Sequence, residues 1–149
     1  MTRRRRARLR LLAGLLPALL WAAPVRADIF LIVQAANPLK ALTQKEAVDL
    51  YTGRSRAFGN GEFALMFDLP RDSPQRAAFY QALTGMSLAQ INSYWSRLMF
   101  SGQTMPPQGL PNEQAMVDIV RRNPSAIGYL TQEPSDKTVR VVLVLKESK

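Results

Sequence analysis

The densest chemistry in the chain lies in Asp68-Leu-Pro-Arg-Asp-Ser-Pro-Gln-Arg-Ala-Ala-Phe-Tyr80. The pattern reads as a strand end, a short loop, then a helix with Ser73 as N-cap and Pro74 as first helical residue. Asp68, Arg71, Asp72 and Arg76 crowd that junction. A helix start leaves backbone N–H groups unpaired and carries partial positive charge, so with arginines nearby it can hold a small anion. Ser73 would touch such a ligand, Arg71 and Arg76 would clamp it, and Asp68 could accept a proton from a protonated oxyanion. A plainer account uses the same residues. Ser-Pro is an ordinary helix opening, surface arginines are commonly only solvated, and Asp68 then pairs with a neighbouring arginine.

Absent residue types restrict the chemistry further. The chain contains no Cys and no His. It therefore lacks a disulfide framework, a thiol nucleophile and a lipid-anchoring cysteine, and it cannot build a Ser–His–Asp triad or a His-ligated zinc site. No dense Asp/Glu cluster suggests a carboxylate metal site. No catalytic residue, metal ligand or cofactor is assigned, and the chain reads as a non-enzyme. Tyr94 and Trp95 could form a stacking platform for a sugar, but they share helical spacing with Leu88, Ile91 and Leu98, which favours the core. The Met105-Pro-Pro107 loop is apolar and reads equally as a contact surface or a buried connection.

Residues 1–27 have the layout of a secretory signal peptide. Arg3 to Arg10 form a basic n-region, Leu11 to Ala23 an apolar stretch, and Val25-Arg26-Ala27 a small-residue cleavage site. This predicts a periplasmic or secreted protein cut after Ala27. Seven of the 20 basic residues and none of the 11 acidic ones lie in that segment, so the net charge falls from +9 to +2 on its removal. Nucleic-acid binding thereby loses its electrostatic basis. Residues 28–149 suit one domain with one core.

The remaining pattern alternates strands and helices. Ile29 to Val33 is a continuous apolar run that suits a strand covered on both faces. Thr43 and Glu46 form a capping box for a helix running to about Tyr51, stopped by Gly53. Gly59-Asn60-Gly61 marks a turn before a strand over Glu62 to Asp68. Helices follow over Pro74–Thr84, after Ser87, and over about Asn112–Arg122, with Gly102 to Pro111 as a loop. Ile127–Leu130 and Val139–Leu145 read as strands, and Gly128 as a close backbone approach. The expected fold class is α/β: a three-layer sandwich whose mixed, mostly parallel sheet carries helices on both faces. Ligands of such sheets sit at the carboxyl ends of strands, which is where the Asp68–Arg76 junction falls.

Four separated elements resemble one family, the phosphate-binding proteins of ABC transporters. Asn37-Pro-Leu-Lys-Ala-Leu-Thr43 with Thr52-Gly53-Arg54 is similar to its N-P…L-T/S…F-x-G-K/R stretch. Ser73-Pro-Gln-Arg-Ala-Ala-Phe79 resembles its S-G-T/S-R-x-x-F helix start. Gly85 to Gly102 with Trp95 fits the next helix, and Asn123-Pro-Ser-Ala-Ile-Gly-Tyr129 resembles its P-x-A-I-G-Y strand entry. The resemblance spans about Asp28 to Leu145 and implies one lobe of a type II periplasmic binding protein. It further implies phosphate or another small oxyanion as ligand, with Gln75 at the family's threonine position joining Ser73. A membrane transporter or sensor is the implied partner. A single lobe encloses a ligand on one side only, so binding is weak unless the domain forms a homodimer or docks on that partner. Three departures weaken the ligand set. Pro74 replaces a glycine and removes an N–H donor, Gln75 lacks the threonine hydroxyl, and Leu69 stands where the family carries an arginine. Pro74 and Leu69, where the family's ligand groups are missing, favour an alternative: a periplasmic interaction module with little or no ligand binding.

Overall fold

A computed structural model describes residues 28–146, and the signal-peptide reading with its cleavage after Ala27 lies outside these described residues. Five strands form one sheet: β1 (Ile29–Gln34), β2 (Leu65–Asp68), β3 (Gln108–Gly109), β4 (Ala126–Leu130) and β5 (Val139–Leu145). Their spatial order is β3-β2-β4-β1-β5. β2 pairs in parallel with β3 and β4, while β1 is antiparallel to both β4 and β5. Four strands thus run one way and β1 runs against them. The sheet is mixed and mostly parallel.

Four helices complete the fold: α1 (Gln44–Tyr51), α2 (Pro74–Thr84), α3 (Leu88–Phe100) and α4 (Glu113–Arg122). Local chemistry accounts for their ends. Thr43 and Glu46 form the reciprocal capping box of α1, and Ser87 with Gln90 forms another at α3. Gly85 ends α2 at φ +75°, a left-handed conformation that glycine adopts without a Cβ clash. Among the described residues, no helix is long and apolar enough to cross a membrane.

Helices cover both faces, and β4 shows how the two layers are told apart. Tyr129 stacks on Phe79 of α2, with ring centroids 3.7 Å apart and planes 8° from parallel. Its neighbour Gly128 points the other way, where a Cβ would come 2.2 Å from Sδ of Met116 on α4. Gly128 is therefore the position that lets α4 lie close against the sheet. Ala126 to Leu130 are all buried, as expected of a strand sandwiched between helix layers.

Two sequence-based boundaries change. The strand expected from Glu62 begins only at Leu65; Phe63 instead makes an isolated antiparallel bridge to Ala57 across the glycine turn. The loop expected from Gly102 to Pro111 contains the short strand β3, which pairs with Phe67 and Asp68. Neither residue of β3 carries an apolar signature. Trp95 is buried against the core, and Tyr94 donates its hydroxyl to the Thr52 carbonyl at 2.6 Å. Met105 stands exposed at the loop tip.

Candidate functional site

β2 delivers Asp68 to the edge of the core, and the chain then turns through Pro70, whose carbonyl accepts from Ser73 N–H at 2.9 Å. Ser73 adopts the extended N-cap conformation and its Oγ accepts from Arg76 N–H at 3.2 Å. Pro74 follows without a donor to leave unpaired. The next turn of α2 decides the fate of the arginine. Arg76, Phe79, Tyr80 and Leu83 are its buried residues, an i, i+3, i+4, i+7 set on one helical face.

Arg76 accordingly points inward. Its Nε donates to Asp68 Oδ2 at 2.8 Å, and both side chains are almost completely buried. Its Nη1 donates to the Arg71 carbonyl at 3.0 Å and to Asn92 Oδ1 at 2.8 Å, and its guanidinium lies 4.9 Å from the Tyr80 ring centroid. Asp68 is equally engaged. Oδ1 accepts from Leu69 N–H at 2.8 Å and the Tyr129 hydroxyl at 2.5 Å; Oδ2 also accepts from the Tyr80 hydroxyl at 3.0 Å. Those four donors fill the acceptor capacity of a carboxylate. The idea that Asp68 takes a proton from a ligand is corrected on this ground: it has no vacant lone pair.

The same network shifts its own ionisation. Burial works to lower the Arg76 pKa, but the adjacent Asp68 charge and hydrogen bond outweigh it and the net shift is upward. Burial, then the Asp68 charge, pushes Tyr51, Tyr80 and Tyr129 above the ordinary phenol value. A folded-state pKa raised this way gives stability that is complete below the unfolded value near pH 10 and lost as pH rises above it. With three such tyrosines, stability is predicted to fall steadily as pH rises above 10. Urea unfolding between pH 9 and 11.5 checks this, and a flat profile contradicts it.

The five expected ligand residues do not converge. Ser73 and Gln75 line a crevice of about 340 Å³ together with Leu69, Asn112, Glu113 and Gln114. Asp68, Arg71 and Arg76 line a second cavity of about 200 Å³, with Asn92 and Trp95. Leu69 lies between the two and touches both.

The first crevice has a topological cause. β2 and β3 are parallel neighbours, so their carboxyl ends lie side by side, joined further by Leu110 N–H donating to the Asp68 carbonyl at 2.8 Å. β2 leads to α2 on the Tyr129 face of the sheet, and β3 leads to α4 on the Gly128 face. Adjacent strands whose connections part to opposite faces open a crevice at their ends. Two helix N-termini meet there. Asn112 caps α4 by accepting from Ala115 N–H at 2.9 Å, and the N–H groups of Gln75, Glu113 and Gln114 make no hydrogen bond among the described residues. One carboxylate also lines the crevice: Glu113, whose Oε1 accepts from Thr131 N–H at 2.5 Å and Oγ1 at 2.8 Å. Sequence reasoning missed Asn112, Glu113 and Gln114. Asn112 was legible as the start of a helix, but only the strand order brings that start to Ser73.

No protein-family model matches the chain, and comparison with curated proteins finds no match. Solved structures do match. A Clostridium perfringens protein assigned as a phosphate ABC transporter substrate-binding protein, solved with phosphate bound, superposes with a TM-score of 0.61 at 23% identity. The match covers 78% of this chain and 45% of that one. An ABC-type phosphate transport receptor from Vibrio cholerae gives 0.60 at 18% identity, over 78% and 46%. A phosphate-binding candidate from Planctomyces limnophilus DSM 3776 gives 0.50 at 11% identity. At these identities the likeness is one of fold. The chain spans about half the length of the proteins it matches.

Proposed function

We propose that this chain, folded as about half of a phosphate-type substrate-binding protein, is a non-catalytic solute-binding domain for phosphate or another small oxyanion. The ligand would sit in the crevice between α2 and α4, held by Ser73 Oγ, the Gln75 side chain and the amides of Gln75, Glu113 and Gln114. The observation that carries this reading is the meeting of two helix N-termini at the switch point of a fold whose Clostridium representative was solved with phosphate. Asp68 and Arg76 take a supporting part in it: their buried pair fixes the strand end relative to α2. Operation outside the cytoplasm, beside a membrane transporter, follows from the same fold and from the export reading of residues 1–27.

The crevice is open, and the Glu113 carboxylate opposes a dianion. Affinity is therefore expected to be on the order of 1 mM, equivalent to about −4 kcal/mol. Titration of 15N-labelled protein with phosphate and sulfate should shift the amides of Gln75, Glu113 and Gln114. Ser73→Gly, which costs a helix cap only a few tenths of a kcal/mol, should weaken binding about tenfold by removing the hydroxyl. Silence of those amides across both anions would sink the reading. It would support instead an interaction module that docks on a membrane sensor or transporter, which Glu113 and the donor-less Pro74 specifically favour.

A further inference from the structure

We propose that the cavity of Arg71, Arg76 and Asn92 is a second ligand site, separate from the α2–α4 crevice, and that it takes a small monocarboxylate bearing a short apolar group. The side-chain hydrogen-bonding inventory of its lining is one-sided. Asp68 carries a carboxylate there, but all four of its acceptor positions are taken. The Asn92 side-chain carbonyl and the Arg71 backbone carbonyl each accept a bond from Arg76 Nη1. The side-chain groups left uncommitted among the described residues are donors: Arg76 Nη2, the Asn92 Nδ2 amide, and Arg71, which forms no ion pair. Trp95 lines the same cavity, with its indole Nε1 buried beside the Tyr80 hydroxyl.

Charge and shape narrow the ligand. Arg71 and Arg76 against Asp68 leave one net positive charge, which suits a monoanion. The other walls are apolar: Met99, Pro106 and Pro107. A tetrahedral phosphate would turn some of its oxygens onto those apolar walls, where no protein donor meets them. A carboxylate presents both oxygens in one direction, which matches the planar fork of a guanidinium, and its substituent points the other way, onto the apolar side. About 200 Å³ is below the range of drug-sized pockets, so the group is small.

Benzoate and acetate are the probes, added to 15N-labelled protein. Benzoate should shift the Asn92 side-chain amide and the Gly109 backbone amide, with a dissociation constant about tenfold below that of acetate because the ring buries apolar surface. Arg71→Ala should weaken benzoate about tenfold, since it removes a charged hydrogen-bonding partner. Ser73→Gly should leave benzoate binding unchanged. Equal affinity for benzoate and acetate, competition by phosphate, or indifference to Arg71→Ala each overturns the proposal. Phosphate shifts at Gln75, Glu113 and Gln114 test the crevice alone, so the two assignments fail separately.

Discussion

Replacing Asp68 with alanine is expected to lower the unfolding free energy by about 3–5 kcal/mol, because it strands a buried guanidinium without its counter-charge. The loss does not come from a single contact. Asp68 accepts from Arg76, Tyr80, Tyr129 and the Leu69 amide, and each donor would be left in a place that water does not reach. Domains of this size have about 5–15 kcal/mol in hand, so the variant would sit close to its unfolding threshold. Asp68→Asn should cost less, since the amide keeps a carbonyl oxygen for part of the network. Replacing both partners, Asp68→Leu with Arg76→Met, should recover much of the loss, as a buried ion pair exchanged for apolar groups is often close to neutral. Urea unfolding followed by circular dichroism measures all three. If Asp68→Ala loses less than about 1 kcal/mol, the size of a surface pair, the pair is not the buried anchor described above.

Phe79→Ala should cost a comparable amount, about 3–5 kcal/mol, by leaving a cavity at the centre of the aromatic cluster. Phe79 is fully buried. It stacks on Tyr129 and meets Tyr51 and Tyr80 edge-on at centroid distances of 4.7 and 4.9 Å. Such geometries add about 0.5–1.5 kcal/mol beyond the area buried. Phe79→Leu keeps much of the volume and should cost clearly less. Because Tyr80 and Tyr129 also donate to Asp68, a void at Phe79 loosens two donors of the ion-pair network. The double variant Phe79→Ala with Asp68→Ala should therefore depart from additivity by at least 0.5 kcal/mol. Strict additivity would mean that the aromatic cluster and the ion pair act independently.

These two positions also mark how far the sequence could be read. The capping boxes at Thr43 and Ser87, the glycine stop at Gly85 and the apolar runs of β1, β4 and β5 were legible because each depends on neighbours within a few residues. The inward turn of Arg76 carried a signal too, since it falls three, four and seven residues before Phe79, Tyr80 and Leu83. Charge alone suggested a solvated side chain, and periodicity was the better guide. β3 had no such signal: two residues form a strand only because the edge of β2 is there to pair with.

The order of capped helices and apolar strands was written in the chain, because such features arise from dihedral preferences, side-chain caps and the period of the apolar pattern. Which residues share a cavity was decided by the tertiary structure. Successive positions at a helix start point about 100° apart, so Gln75 and Arg76 open onto different spaces although they are adjacent. The second wall of the crevice, Asn112 to Gln114, arrives through the strand order β3-β2-β4, a non-local pairing that no short stretch of sequence encodes.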